Sequence, residues 1–194
     1  MADSSFTVDS CQAVANDESL ILHTRTTLRC SGFSSSPSVL TMQRILIYGF
    51  GPYQQYTSNI TEALLCDMRL PRNVFKEVFE VRFSRCMFEN TFETVRPDVI
   101  LGLGQHPRAR KLRIERRTHK RDHPAQARFV NLSLPHTSET TVAYDAGNYV
   151  CNYSMWVSMA WCLQNDARCG FLHVPKDYST KRLEKYVSCV IESC

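Results

Sequence analysis

Cys151 stands where a β-rich run, "TTVAY" (residues 140–144), gives way through Ala146 and Gly147 to a helical pattern. A thiol in the first turn of a helix faces the positive end of the helix dipole, which favours the thiolate, the nucleophilic form. His173 closes another apolar run, "GFLHVP". An imidazole late in a strand can reach the rim of a sheet. Cysteine and histidine together would make a nucleophile and its base, and a carboxylate could fix the tautomer of the ring. Both residues also fit plainer roles, as a buried thiol at a helix start and a core histidine satisfied within its strand.

The elements that must position them follow from hydrophobic periodicity. "RILIYGF" (44–50) reads as a buried strand. Asn59 with Glu62 three residues on is a helix-start signature, and Ala63, Leu64 and Leu65 follow it. "FKEVFEVRF" (75–83) reads as a second strand, and Phe88, Phe92 and Val95 recur at helical spacing. "DVILGLG" (98–104) is the clearest buried strand. "TTVAY" is a fourth and "GFLHVP" a fifth. Tyr153, Trp156, Val157, Ala160 and Trp161 predict an amphipathic helix whose buried stripe they form. Leu183, Val187, Val190 and Ile191 predict a last helix. Strands alternating with helices imply an α/β fold, a three-layer αβα sandwich with a mostly parallel sheet. Ligands in such folds bind beyond the carboxyl ends of strands. "GFGPY", "GQHPRARKLRIERR", "AGNYVC" and "HVP" are the segments expected there.

The chain has 194 residues, enough for one domain with its own core, and a net charge of +4. No apolar run approaches the length of a membrane span. Nine cysteines, irregularly spaced and without C-x-x-C, favour reduced thiols in a cytosol over a disulfide framework or a zinc site. Residues 1–41 are rich in Ser and Thr and show no sustained period. They read as a disordered tail, or as sequence before a natural start at Met42. The organised domain is expected over 43–194.

Four segments carry a family resemblance. "ILIYGFGPYQQYTSN" resembles the start of the pyroglutamyl peptidase I family, the C15 cysteine peptidases. There Gly-Phe-x-Pro-Phe follows the first strand and an Asn comes soon after. "YDAGNYVCNYSMW" resembles that family's nucleophile segment and "GFLHVP" its histidine segment. "PDVILGLGQ" with "IERR" resembles its glutamate segment. All four occur in the family's order, from about Gln43 to the C-terminus. The resemblance implies a phosphorylase/hydrolase-like fold and a nucleophile, base and orienting acid at Cys151, His173 and Glu115. It implies removal of N-terminal pyroglutamate from peptides, with no metal or organic cofactor. Phe50 and Tyr53 match the aromatics that hold the lactam ring. Asn59 and Gln105 match positions that contact it, and Tyr149 and Val150 form the wall beside the nucleophile.

The chain departs from the family at several points. Tyr53 stands where Phe is usual, and "HPRARKLR" replaces a glycine-rich turn. The Asn that usually follows the Glu-Arg segment has become Lys120 or a neighbour. The stretch from Glu115 to Cys151 is short, and Arg128 in "QARFVN" could replace the family's oxyanion arginine. Two alternatives therefore stay open. One is a peptidase-like scaffold of weak or no activity. The other is binding of RNA or another polyanion through residues 108–121, a run with eight Lys or Arg but no interleaved aromatics for base stacking. A solvated charged face is the plainer reading of that run. Homo-oligomeric assembly is left open as well.

Overall fold

A computed structural model describes residues 42–194; the expectations for residues 1–41 lie outside the described residues. β1 (Ile45–Phe50) leads to α1 (Ile60–Asp67), β2 (Val74–Phe79), α2 (Arg85–Val95) and β3 (Val99–His106). β4 (Leu112–Glu115), β5 (Arg117–Lys120), β6 (His123–Phe129) and β7 (Thr140–Ala143) follow. The chain ends with α3 (Val150–Asn165), β8 (Arg168–Pro175) and α4 (Thr180–Glu192). Six strands form one sheet in the order β2-β1-β3-β8-β4-β7, and β5 and β6 form a separate two-stranded ribbon.

Alternation along β1 shows how the layers form. Ile45 and Ile47 pack with Leu64 and Leu65 of α1 and with Leu183, Val187 and Val190 of α4. Leu46, Tyr48 and Phe50 point the other way, to Phe88 and Phe92 of α2 and to Val157 and Trp161 of α3. The result is the expected three-layer sandwich. The helix signature at Asn59 is also met. Asn59 caps α1, its side chain accepting from the Thr61 backbone N–H.

The sheet differs from the expectation on one side. β2, β1, β3 and β8 are parallel, but β4 runs antiparallel to β8, and β7 pairs parallel to β4. "TTVAY" therefore runs against the central strands, and its end does not open at their carboxyl rim. The chain must return through residues 144–149 to reach it. The run read as a solvated charged face is instead β4 and β5. Within it Leu112, Ile114, Glu115, Thr118 and His119 are buried between exposed or half-exposed basic residues. The stripe expected on α3 is also displaced. Its buried residues include Val150, Asn152, Ser154, Met155, Ser158 and Met159, while Tyr153, Trp156 and Ala160 are only half-buried. α3 packs on the sheet, on α2 and on β5, so most of its circumference is covered.

Among the described residues, no helix is long and apolar enough to cross a membrane.

Candidate active site

β3 and β8 are neighbours in register, Gly104 opposite His173 and His106 opposite Pro175. Their ends meet the start of α3, where Cys151 is the second helical residue. Tyr149 caps that helix without a side-chain hydrogen bond, so the first-turn N–H groups have no side-chain acceptor. The sulfur lies directly over Gly104. A Cβ at that position would stand 2.7 Å from Sγ and 2.9 Å from the Phe171 ring. Glycine there is what lets the thiol approach the sheet.

His173 is buried, and its Nδ1 meets Glu115 Oε1 at 2.8 Å. Glu115 belongs to the antiparallel strand beside β8, where Arg113 is the partner of His173 and Glu115 reaches the ring from two residues along. The Cys151 sulfur lies near enough to the same imidazole to act on its charge. Burial alone would push the His173 imidazole down. The charge interaction with Cys151 and the hydrogen-bonded Glu115 carboxylate outweigh it and raise the ring to about 9. Edge contacts from Phe171 and His106, with ring centroids 5.1 Å and 5.2 Å away, hold its plane.

A cavity of about 480 Å³ opens beside the thiol. Phe50, Tyr53, Asn59, Gln105, Tyr149, Val150, Cys151 and His173 all line it. Glu115 sits behind His173, fully buried. The nine residues singled out from sequence are thus brought to one place, with unequal freedom to act. Asn59 is committed to the fold: its amide donates to the Gly51 carbonyl and accepts from Thr61. Gln105 is only half-committed. Its Oε1 accepts from the Ile60 N–H at 3.1 Å, while its buried Nε2 has no hydrogen-bond partner. The Tyr53 hydroxyl lies close enough to that amide to feel it, though outside hydrogen-bond geometry. Burial pushes the Tyr53 phenol up.

Arg128 is not part of this arrangement. Its guanidinium stacks on Trp156, 4.0 Å from the ring centroid, and it does not line the cavity. β6 holds it opposite Thr118, on the ribbon rather than at the rim, so it is no candidate for the oxyanion.

Three further residues bear on the site. Arg113 pairs with Glu115 at 3.1 Å, touches His106 Nε2 at 3.4 Å and donates to the Asp145 carbonyl at 3.1 Å. It ties the buried acid to the loop before α3. His106 lines the cavity against His173. Asn152, next to the cysteine, is buried and clasps β5. It accepts from Thr118 Oγ1 and the His119 N–H, and donates to the His119 carbonyl. Leu112 and Ile114 on either side of Arg113 were the one short signal that could have placed it in a strand.

Comparison with solved structures bears on the whole arrangement. The pyrrolidone carboxyl peptidase from Thermococcus litoralis superposes with a TM-score of 0.66 at 19% identity, over 78% of this chain and 92% of that one. A mutant pyrrolidone carboxyl peptidase from the hyperthermophile Pyrococcus furiosus gives 0.66 at 23%, over 76% and 96%. This chain has the pyrrolidone carboxyl peptidase fold. No family model and no curated protein matches its sequence. Within the pyrrolidone carboxyl peptidase fold, the segment between Glu115 and Cys151 here forms the β5–β6 ribbon and β7, and Asn152 fastens that ribbon to α3. The basic run contributes to the same scaffold. Arg113 and Arg116 bond within the chain, and Arg121 lies over Phe83 at 3.9 Å. Such internal partners leave fewer free cations for a polyanion than the sequence suggests.

Proposed function

We propose that this chain is a cysteine peptidase that removes pyroglutamate from the N-terminus of peptides. The observation that carries the reading is the line from Glu115 through His173 to Cys151 beside a cavity walled by aromatics. In this reading Cys151 attacks the carbonyl that joins the lactam ring to the next residue, forming a C–S bond. The oxygen becomes an oxyanion, and the unfilled N–H groups at the start of α3 are the donors available to it. His173 protonates the departing amine as the C–N bond breaks. Water, deprotonated by His173, then attacks the thioester and releases pyroglutamate.

The lactam is flat and uncharged, so it needs apolar contact and a few polar partners. Phe50, Tyr53, Tyr149 and Val150 supply the first. The Gln105 Nε2, buried without a partner, suits the ring carbonyl, since an unpaired buried donor costs about 1–3 kcal/mol that a ligand acceptor would recover. The test is hydrolysis of a fluorogenic pyroglutamyl amide by the purified chain in a thiol reductant. The reading requires turnover that iodoacetamide abolishes, and turnover untouched by the alkylating reagent would refute it.

A further inference from the structure

The charges around the cavity are all of one sign. Arg108 and Lys176 line it, together with His106 and His173, and no Asp or Glu does. Both cations follow directly on the paired ends of β3 and β8, where His106 is opposite Pro175. That is the side of the cavity from which His173 would hand its proton to a leaving amine. The lactam residues Phe50, Tyr53 and Asn59 come from another part of the rim, β1 and its loop.

Nearby acids are already committed. Glu115 is held by His173 and Arg113. The Asp145 carboxylate accepts from the Gly147 N–H at 2.9 Å. Asp177 meets Lys176 at 2.5 Å, but its side chain is 81% exposed and it does not line the cavity. An exposed pair of that kind is weak and is readily exchanged for another partner. The Arg108 guanidinium makes no ion pair or side-chain hydrogen bond among the described residues. His106 adds no charge near neutrality: burial, with His173 and Arg113 beside it, holds its imidazole below the ordinary range.

Building on the peptidase reading, we propose that Arg108 and Lys176 form a leaving-group subsite for a carboxylate, so that the enzyme favours pyroglutamyl peptides carrying an anion just beyond the scissile bond. The anion is either the side chain of an acidic residue or the free C-terminus of a pyroglutamyl dipeptide. Guanidinium and ammonium groups at a cavity mouth attract such substrates through a field that salt screens.

The experiment compares kcat/KM for amidated peptides with Glu, Gln or Lys after pyroglutamate, and for pyroglutamyl-alanine as free acid and as amide. Amine release is followed in dilute buffer and in about 0.5 M NaCl, where the screening length falls to a few ångströms. The expected result is Glu over Gln by roughly three- to tenfold, with Lys slowest, as one or two solvent-exposed ion pairs allow. That ratio should shrink in salt and approach unity in Arg108→Gln with Lys176→Gln. The alanine pair assigns the source: a gain for the free acid alone places the C-terminal carboxylate in the subsite, and a gain for Glu alone places the side chain there. Equal rates for Glu, Gln and Lys, and for both alanine forms, would overturn the subsite and leave the peptidase standing. No turnover of any substrate, the fluorogenic amide included, would overturn both.

Discussion

The sulfur of Cys151 rests on Gly104, 2.7 Å from where a Cβ on that residue would stand. A glycine in the middle of the sheet is thus part of the candidate nucleophile's seat. Gly104→Ala would press on both Sγ and the Phe171 ring, and its backbone angles are ordinary, so the strand itself can take alanine. Overpacking of this kind costs about 1–3 kcal/mol. We expect a folded protein with at least roughly tenfold lower amidase turnover and slower alkylation of Cys151, since misplacement by a fraction of an ångström is costly to an attack geometry. Turnover equal to that of the parent would show that the thiol does not work from this position.

The pH dependence follows from His173. Its folded value of about 9 lies above the ordinary 6.5, so its charged form is favoured by folding. The stability it contributes is complete below about 6.5 and is lost as pH rises through about 9. The Cys151–His173 ion pair that the peptidase reading proposes would be lost over the same range, and kcat/KM should fall on an alkaline limb near 9. Glu115→Gln removes a group that holds the proton on the ring. It should move that limb to lower pH and lower turnover at least roughly tenfold, with a smaller effect on KM. A limb unmoved by Glu115→Gln would separate the carboxylate from the chemistry.

The aromatic wall divides by burial. Phe50 is 2% exposed and packs edge-on to Tyr48 and Phe88, so Phe50→Ala should cost about 3–5 kcal/mol of stability along with activity. Tyr53 is half-buried at the mouth and is the better probe of the pocket. Tyr53→Ala should raise KM for a pyroglutamyl amide several-fold with little change in thermal midpoint, and Tyr53→Phe should remain near the parent. A Tyr53→Ala variant with unchanged KM would remove that ring from the lactam site.

Asn152 bears on the fold rather than the chemistry. Asn152→Ala would strand the buried N–H and C=O of His119, each costing about 1–3 kcal/mol. The expected outcome is a lower thermal midpoint and faster hydrogen exchange in β5 and β6. An unchanged midpoint would mean that the ribbon holds without this clasp.

What could be read from sequence depended on how cleanly each residue's environment is written in its neighbours. The start of α3 was readable because small residues, a cysteine and a helical pattern coincide within "DAGNYVCNYSMW". The buried stripe of α3 was not, because the helix is covered on several sides and even Ser154 and Ser158 are buried, where they meet the Tyr48 hydroxyl. β4 was hidden for a different reason. Its one half-exposed position is Arg113, and a strand of four residues with two apolar side chains leaves little alternation to detect. The antiparallel turn of β4 follows from its placement beside β8, a long-range pairing that no local pattern announces. Arg128 resembled an oxyanion donor by position along the chain, but the ribbon carries it to Trp156. Asn59 was readable twice over, as a helix cap and as a cavity residue, and only the structure shows that the cap uses up its amide.

The central claim is that Cys151 is the nucleophile of a pyroglutamyl peptidase, and one measurement meets it most directly. The protein is mixed with a pyroglutamyl ester or amide at an acidic pH that slows hydrolysis of the acyl-enzyme, quenched, digested and analysed by mass spectrometry. The account predicts a pyroglutamyl adduct on the peptide bearing Cys151, absent in Cys151→Ser, which should keep its fold and lose amide hydrolysis. Adduct formation on Cys162 or Cys169, or full hydrolysis by Cys151→Ser, would contradict it.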